Sequence, residues 1–364
     1  MRGMEKVISI GLIGFAAIAA WAAEISQAEM EKLYNEVKTP YKYGVVLEPE
    51  KGFMLDNPNV FRHGKAWYML YIVFDKKGYE THLATSDDLL RWRKLGKVLS
   101  YGKPGAWDSA QSDGGPSLFH MNWDDPLSKG GNQLGTFDGK YWMTYIGGAL
   151  HGYETDPLSI GVAWTDDPAA AREWTRREKP VLTPSDSDAR DFERRTLYKS
   201  FVVDDPERKL GKRFVMYYNA KAGGKGNVEW VERIGMAVSD DMVNWKRFGA
   251  GPCVANEGAL DHGITGDPMV RKIGDTYVMF YFGYNWDLKG GSAFDTFAAS
   301  KDLVHWTKWT GPKLVTASKP WDKTHAHKPW VLKHEGVVYH FYCAVGDRGR
   351  VLALATSKDF GRRD

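Results

Sequence analysis

AWYMLY leads into ATSDDLLRW between Ala66 and Trp92, and this phrase, an aromatic strand followed by a small acidic turn, returns four more times. KYWMTY leads to AWTDDPAAAREW (Lys140 to Trp174), RFVMYY to AVSDDMVNW (Arg213 to Trp245), TYVMFY to AASKDLVHW (Thr276 to Trp306) and VVYHFY to ATSKDF (Val337 to Phe360). A unit that recurs about every 60 to 80 residues on short aromatic strands is too irregular for a stacked solenoid and predicts the blades of a β-propeller. The expected fold is all-β, a five-bladed β-propeller of four-stranded antiparallel blades.

The phasing of each unit predicts its anatomy. An apolar strand carrying a proline, such as NPNVF (Asn57 to Phe61), reaches the polar turn RHGK, and the aromatic strand returns. A third strand then ends in the acidic turn, and the Trp opens a fourth. Gly, Asp and Asn mark the turns because they tolerate positive φ or cap local backbone. Alternating Tyr, Trp and Val suit strands packed on both faces, so most of these aromatic and Ser-Asp residues are expected to be scaffold.

The fifth unit stops after ATSKDF without a fourth strand, which would leave an open sheet edge. YKYGVVLEP (Tyr41 to Pro49) resembles the fourth strands REKPVLTP and GPKLVTA, so the N-terminal segment is expected to complete the last blade and close the ring. The division follows: 1–23 a signal peptide, 24–40 a helical segment, 41–364 one propeller domain. Arg2 and Lys6 before the apolar stretch Val7 to Ala22, with Ala20-Trp21-Ala22 as an A-x-A site, have the layout of a secretory signal. A periplasmic or secreted location is expected. SQAEMEKLYNEV (Ser26 to Val37) reads as an amphipathic helix that covers a propeller face or mediates a homodimer contact.

The 364 residues, 43% hydrophobic and 13% aromatic, suffice for a large single core. A net charge of +3 without a basic run argues against nucleic acid as a partner and against membrane attachment beyond export. Cys253 and Cys343 have no metal-ligand spacing and are expected to be unpaired.

Chemistry in such a fold belongs where the innermost strands converge. Those strands open at LDNPNVF, SDGGPSLF, FERRTLYKSFVV, GDPMVRKIG and HAHKPWVLKHEG, placing Asp56, Asp113, Glu193, Asp267 and the pair His325/His327 on one rim. So much charge gathered at an axis is a poor use of burial unless it serves a reaction. Arg195 and Arg194 beside Glu193, His262 before Asp267, and Trp107, Trp123, Trp286 and Trp330 near the rim are candidate ligand contacts. An acidic ring also admits a divalent cation in the axial channel, although no compact ligand motif asks for one and no cofactor is expected to be required.

The Asp-x-Pro opening of the first blade, the Gly-Asp-Pro opening of the fourth and the repeated Ser-x-Asp-Leu-x-x-Trp turn resemble five-bladed propeller glycosidases of families 43, 32 and 117. The resemblance implies that Asp56 is the first-blade carboxylate, a general base in family 43 and a nucleophile in family 32. Asn57 separates it from Pro58, whereas family 43 carries Asp directly before Pro. A fourth-blade Asp267 and a fifth-blade histidine before Lys-Pro, in HAHKPW, favour a family 117-like arrangement.

The resemblance implies a glycoside hydrolase acting on a plant or algal oligosaccharide, with Asp56, Asp267 and His327 catalytic and Asp113, Glu193, Arg195, His262, His325 and Trp330 contacting substrate. An inverting enzyme holds its carboxyls about 6.5–9.5 Å apart and a retaining one about 5–5.5 Å, so opposed blades favour inversion. Asp56 is the expected base, with His327 or Asp267 as proton donor. The insertions Asn122 to Thr136 and Ala149 to Pro157 are expected to wall the site and favour removal of a terminal sugar. Two alternatives stand beside this: a glycoside phosphorylase of the family 130 type, with Arg194, Arg195, Lys199 and Lys328 as its basic supply, and a non-catalytic glycan-binding propeller.

Overall fold

The computed structural model describes residues 24–222, 231–256, 258, 261–285 and 288–361, so the signal segment and Trp286 lie outside the described residues. One helix, α1 (Gln27–Val37), precedes strand β1 (Tyr41–Leu47). Four-stranded antiparallel units then follow in chain order. The first is β2 (Met54–His63), β3 (Ala66–Phe74), β4 (Tyr79–Ser86) and β5 (Arg93–Leu99); the next is β6 (Gln111–Pro116), β7 (Tyr141–Gly148), β8 (Ser159–Thr165) and β9 (Thr175–Arg176). A further unit comprises β10 (Thr196–Asp204), β11 (Phe214–Lys221), β12 (Glu232–Ser239) and β13 (Lys246–Phe248), and another β14 (Ile264–Ile273), β15 (Thr276–Tyr284), β16 (Phe294–Ser300) and β17 (Thr307–Lys308). These two share a sheet only through one parallel bridge, Glu232 to Ile264. Last come β18 (His325–His334), β19 (Val337–Gly346) and β20 (Gly349–Thr356), and β1 pairs antiparallel with β20 from Tyr41 opposite Thr356 to Leu47 opposite Leu352. Between units, β4 packs on β6, β8 on β10, β11 on β14, β16 on β18 and β20 on β2.

The acidic turns are locks for the third-to-fourth strand connection. Ser86 Oγ accepts from the Leu89 amide at 3.0 Å, Asp88 Oδ1 accepts from the Leu90 and Arg91 amides, and Trp92 Nε1 donates to the Leu89 carbonyl. The same set recurs at Ser300, Asp302 and Trp306, and in its Asp and Trp bonds at Asp241 and Trp245. The buried apolar residue inside each turn, Leu89, Met242 or Leu303, is held at φ 64°, 63° or 72°. Side chains that satisfy local amides keep such left-handed positions populated.

The innermost strands carry a second repeat. In β2, β14 and β18 two residues bulge opposite one: Asn57-Pro58 opposite Tyr71, Asp267-Pro268 opposite Tyr281, Lys328-Pro329 opposite Tyr342. Asn57, Asp267 and Lys328 have φ of 52°, 53° and 66°. Proline fits a bulge because it has no N–H to leave unpaired, and the bulge redirects the residue before it. In β10 the bulged pair is Tyr198-Lys199, opposite Asn219. The β6 to β7 ladder has no register shift.

One end of the inner strands is sealed. The segment from Phe119 to Gln133 lies along the C-terminal ends of β2, β14 and β18, with the Trp123 amide donating to the Lys272 carbonyl, the Arg62 amide to the Asn132 carbonyl, and Asn132 Nδ2 to the Lys333 carbonyl. Arg271, fully buried, fills the centre against the rings of Phe119 and Trp123 and donates to Asn132 Oδ1 and the Met121 and Asn122 carbonyls. The helix α1 begins with a capping box from Ser26 and Glu29 and buries Met30, Leu33 and Val37 in the main core, while Glu36 accepts from Trp123 Nε1 and pairs with Lys333. Its apolar face is thus occupied within the chain. Among the described residues no helix is long and apolar enough to cross a membrane.

Candidate active site

The other, open ends of the inner strands surround a cavity of about 290 Å³. The alternation of strand direction decides what reaches it: a first strand begins there, a second ends there and a third begins there. Asp113, Lys199, Asp267, His325, His327 and Lys328 come from first strands, Ile146, Asn219, Phe282 and Tyr284 from second strands, Glu232 and Arg350 from the starts of third strands. Tyr153 and Glu154 reach in from the loop joining β7 to β8. Trp330, expected to contact substrate, lies outside the lining, buried between Lys199 of the pocket and Phe119 of the sealed end with Nε1 on the Val60 carbonyl.

Four carboxyls line this pocket, and charge separates them. Burial pushes Glu232 up to about 7, opposed by the hydrogen bond from Asn219 Nδ2 at 2.7 Å and reinforced by Glu154 and Asp267. Burial likewise pushes Asp113 up to about 7 despite Lys328 and the bond from Asn57 Nδ2. Asp267 is raised by burial, with Lys328 Nζ 3.7 Å away. Glu154 Oε1 instead accepts from Lys328 Nζ and Tyr79 Oη, both at 3.3 Å. Glu232, raised by burial, and Glu154, salt-bridged to Lys328, thus share one cavity in unlike electrostatic settings, a pairing of the kind proton-transfer chemistry uses. Among the described residues no group of three or more His, Cys, Asp and Glu side chains is arranged to hold a metal; lysines and an arginine lie between the acids instead.

The pocket and its strands match known proteins. BT0996, solved as a complex with RGII, aligns over 93% of this chain and 97% of its own, at 47% identity and a TM-score of 0.85. A solved glycoside hydrolase aligns over the same shares at 46% identity and a TM-score of 0.85. The chain belongs to the glycoside hydrolases. At the level of fold alone, this glycoside hydrolase is also similar to a thermostable family-43 enzyme (16% identity, 90% of this chain and 98% of that one, TM-score 0.59) and to Zg3597, a family 117 enzyme of Zobellia galactanivorans (14% identity, 90% of this chain and 93% of that one, TM-score 0.61). Those likenesses identify it as a propeller. No family model matches the chain. Among curated proteins, "Uncharacterized protein Rv1502" of Mycobacterium tuberculosis is 33% identical over 138 residues, and the alignment spans 36% of this chain and 44% of that protein.

The residues expected from the hydrolase sequence fall into three places. Asp113, Asp267, His325 and His327 line the pocket. Asp56 lies behind it: Oδ2 accepts from Arg350 Nη1 at 2.6 Å and Lys328 Nζ at 3.0 Å, Oδ1 from the Asn57 amide. Burial opposes ionisation there, but Arg350 and Lys328 outweigh it and hold the carboxyl far below its usual range. This carboxylate, expected as the base, thus holds two cations at the pocket wall. The reason is the bulge: Asn57, not Asp56, takes the position that Asp267 and Lys328 take in their strands.

His327 lines the pocket beside Arg350. Arg350 Nη2 can only donate, so His327 Nε2, 2.9 Å away, accepts; Nδ1 then donates to the Cys343 carbonyl at 3.2 Å. Burial and the Arg350 charge hold the ring well below its ordinary pKa. His325 Nδ1 accepts from the Ala293 amide.

The remainder lie outside the pocket lining. Glu193 is 0% exposed and bound by Arg190, Arg247 and Tyr218. Arg195 pairs with Asp156 at 2.7 Å, which tethers the β7–β8 loop carrying Glu154. His262 is exposed and outside the lining, and its carbonyl accepts from Asn256. Trp107 stacks on Tyr145, and Trp123 belongs to the sealed end together with the insertion Asn122 to Thr136. Glu232, Glu154, Asn219, Tyr153 and Arg350 were not singled out from sequence. The signal for them lies in strand direction, since acids that open third strands or sit between second and third strands face the same end as the inner strands' starts.

Proposed function

We propose that this hydrolase removes one terminal sugar from an oligosaccharide, with Glu232 as general acid and Glu154 as the carboxylate that activates water. The observation that carries the proposal is the pocket holding Glu232, pushed up to about 7, beside Glu154 on Lys328. Its volume is at the bottom of the range of about 300–1,000 Å³ for small-molecule sites, room for a single ring rather than a chain. Exo-action is favoured by the sealed far end of the inner strands. The two acids are anchored separately, Glu154 by Lys328 and Tyr79 and Glu232 by Asn219, and the reading assigns them the longer separation of an inverting pair. The acid gives its proton to the departing glycosidic oxygen while the base takes one from the water, so both end in the opposite state and reset by exchange with solvent.

The wider reading is a ring of five blades closed by β1 on β20, exported through the Val7 to Ala22 segment, and acting on glycans of the kind present in the BT0996 RGII complex. For a phosphorylase, Arg194 and Arg195 stand outside the lining, Lys328 already carries Asp56 and Glu154, and Lys199, which does line the pocket, shares it with four carboxyls. The test is incubation with RGII-derived oligosaccharides, followed by NMR of the first anomer released, with and without phosphate. Release of one terminal unit, inverted and independent of phosphate, is expected; internal cleavage or an obligatory phosphate would overturn the proposal.

A further inference from the structure

On one wall of the pocket, four buried polar atoms have no hydrogen-bond partner among the described residues: Tyr198 Oη, Lys199 Nζ, Asn219 Oδ1 and Asp267 Oδ2. Folded proteins leave few such atoms, and grouping on a single cavity wall is not how packing errors are spread. Their placement is built. The Tyr198-Lys199 bulge faces Asn219 across the β10–β11 ladder, and Gly266 lets Asn219 come against β14, since a Cβ there would meet Asn219 Nδ2 at 2.6 Å. The next residue is Asp267, turned inward by its own bulge at φ 53°. Lys199 Nζ rests above the Trp330 ring, 5.8 Å from its centroid.

The donor and acceptor pattern names the ligand. Lys199 only donates, Asn219 Oδ1 only accepts, and Tyr198 and the Asp267 carboxyl complete the set. An anionic group would match Lys199 but would face Asp113, Glu154, Glu232 and Asp267 in the same cavity. A hydroxyl donates once and accepts as well, so two neighbouring hydroxyls satisfy all four atoms, one between Lys199 and Asp267 and one between Tyr198 and Asn219. We propose that Tyr198, Lys199, Asn219 and Asp267 form a preorganised subsite for an unsubstituted vicinal diol of the terminal sugar. This rests on the glycosidase reading and deepens it: the substrate class is oligosaccharides whose terminal unit carries two free adjacent hydroxyls. Asp267 thereby becomes a sugar-binding carboxyl rather than the proton donor. The free protein bears the cost of desolvated groups that only the sugar satisfies.

That cost makes the proposal separable from a structural role. Free pentoses and hexoses of both enantiomeric series are the probes, read by saturation-transfer NMR and calorimetry on the wild type, Tyr198→Phe and Lys199→Met, with melting of each protein alone. At least one monosaccharide is expected to bind the wild type, with the strongest saturation on two adjacent carbons. Tyr198→Phe, which removes one oxygen and leaves the ring in place, is expected to bind about tenfold more weakly and to melt no lower than the wild type. Lys199→Met is expected to bind at least about tenfold more weakly and to melt higher. No binding by any probe, binding by the variants within about twofold of wild type, or binding lost together with a lowered melting temperature would overturn the diol subsite. Cleavage is scored on the same preparations: a wild type that binds sugar and cleaves nothing removes the hydrolase reading and keeps the subsite, and variants that cleave with unchanged KM do the reverse.

Discussion

Glu232 and Asp113 are both buried acids pushed to about 7, the first reinforced by Glu154 and Asp267 and the second by Asp56 and Asp267. For Glu232 the protonated form is the active one, so kcat/KM is expected to fall about tenfold per unit as pH rises beyond about 7. Glu232→Gln is expected to lose about 10²–10⁴-fold in kcat on an oligosaccharide yet retain turnover of a dinitrophenyl glycoside, whose leaving group needs no proton. Pre-steady-state or steady-state rates on the two substrates check this; equal losses on both would remove Glu232 as the acid. The same shifts act on stability. Folded-state values raised above the unfolded 3.8 and 4.5 mean that the contribution is fully present at low pH and is lost as pH rises toward 7, at about 1.4 kcal/mol per unit for each group. Melting curves between about pH 5 and 7.5 are therefore expected to slope less in the Asp113→Asn, Glu232→Gln double variant. None of this is legible from residue type. Asp56 reads as the base because it is an acid beside a Pro opening, and only the pairing register shows that Asn57 occupies the inward position.

At the scale of strands, sequence periodicity carries a great deal: the aromatic strands, the Ser-Asp turns and the extra strand Tyr41–Leu47 all lie where their spacing indicates. The bulges are visible only as prolines, because a bulge is a property of two paired strands and the partner tyrosines Tyr71, Tyr281 and Tyr342 sit in a different segment. The insertion Ala149 to Pro157 does reach the pocket, through Tyr153 and Glu154, whereas Asn122 to Thr136 lies at the sealed end; both look alike as polar, glycine-containing inserts. Gly266 tests how the strands set the chemistry. A methyl group there would stand 2.6 Å from Asn219 Nδ2 and 2.8 Å from the Phe282 ring, so Asn219 must move, and with it the hydrogen bond that it donates to Glu232. Gly266→Ala is expected to cost about 1–3 kcal/mol from overpacking and to lower kcat more than about tenfold, with the alkaline limb of the pH profile displaced because Asn219 no longer opposes the Glu232 shift. Chemical denaturation together with the pH–rate profile measures both; an unmoved limb would separate Asn219 from the acid.

At the scale of the molecule, β1 joins the two ends of the chain. It pairs with β20, and it places Val45 in the cluster of Trp321, Tyr342 and Val351 and Leu47 in the main core that α1 also enters. Removing Tyr41 to Pro49 would expose the β20 edge, release the two buried side chains at about 1.5–3 kcal/mol each, and disconnect a helix that buries Met30, Leu33 and Val37. A domain of this kind is stable by about 5–15 kcal/mol, so these losses together are comparable with the whole. The deletion is expected to abolish cooperative unfolding in calorimetry, while Leu47→Ala, costing about 2–5 kcal/mol, lowers the melting temperature and keeps a single transition. The contrast isolates strand pairing from packing: a point loss weakens a fold that still has β1 on β20, whereas the deletion leaves the β18–β19–β20 sheet with an open edge beside β2. A deletion that melts cooperatively with the wild-type enthalpy would mean that β1 is an ornament on a fold complete without it. Because Asp56, Lys328 and Arg350 meet across the β2, β18 and β20 contact, loss of β1 is also expected to remove the pocket's charged wall, so that a partly folded deletion binds no sugar even where secondary structure survives.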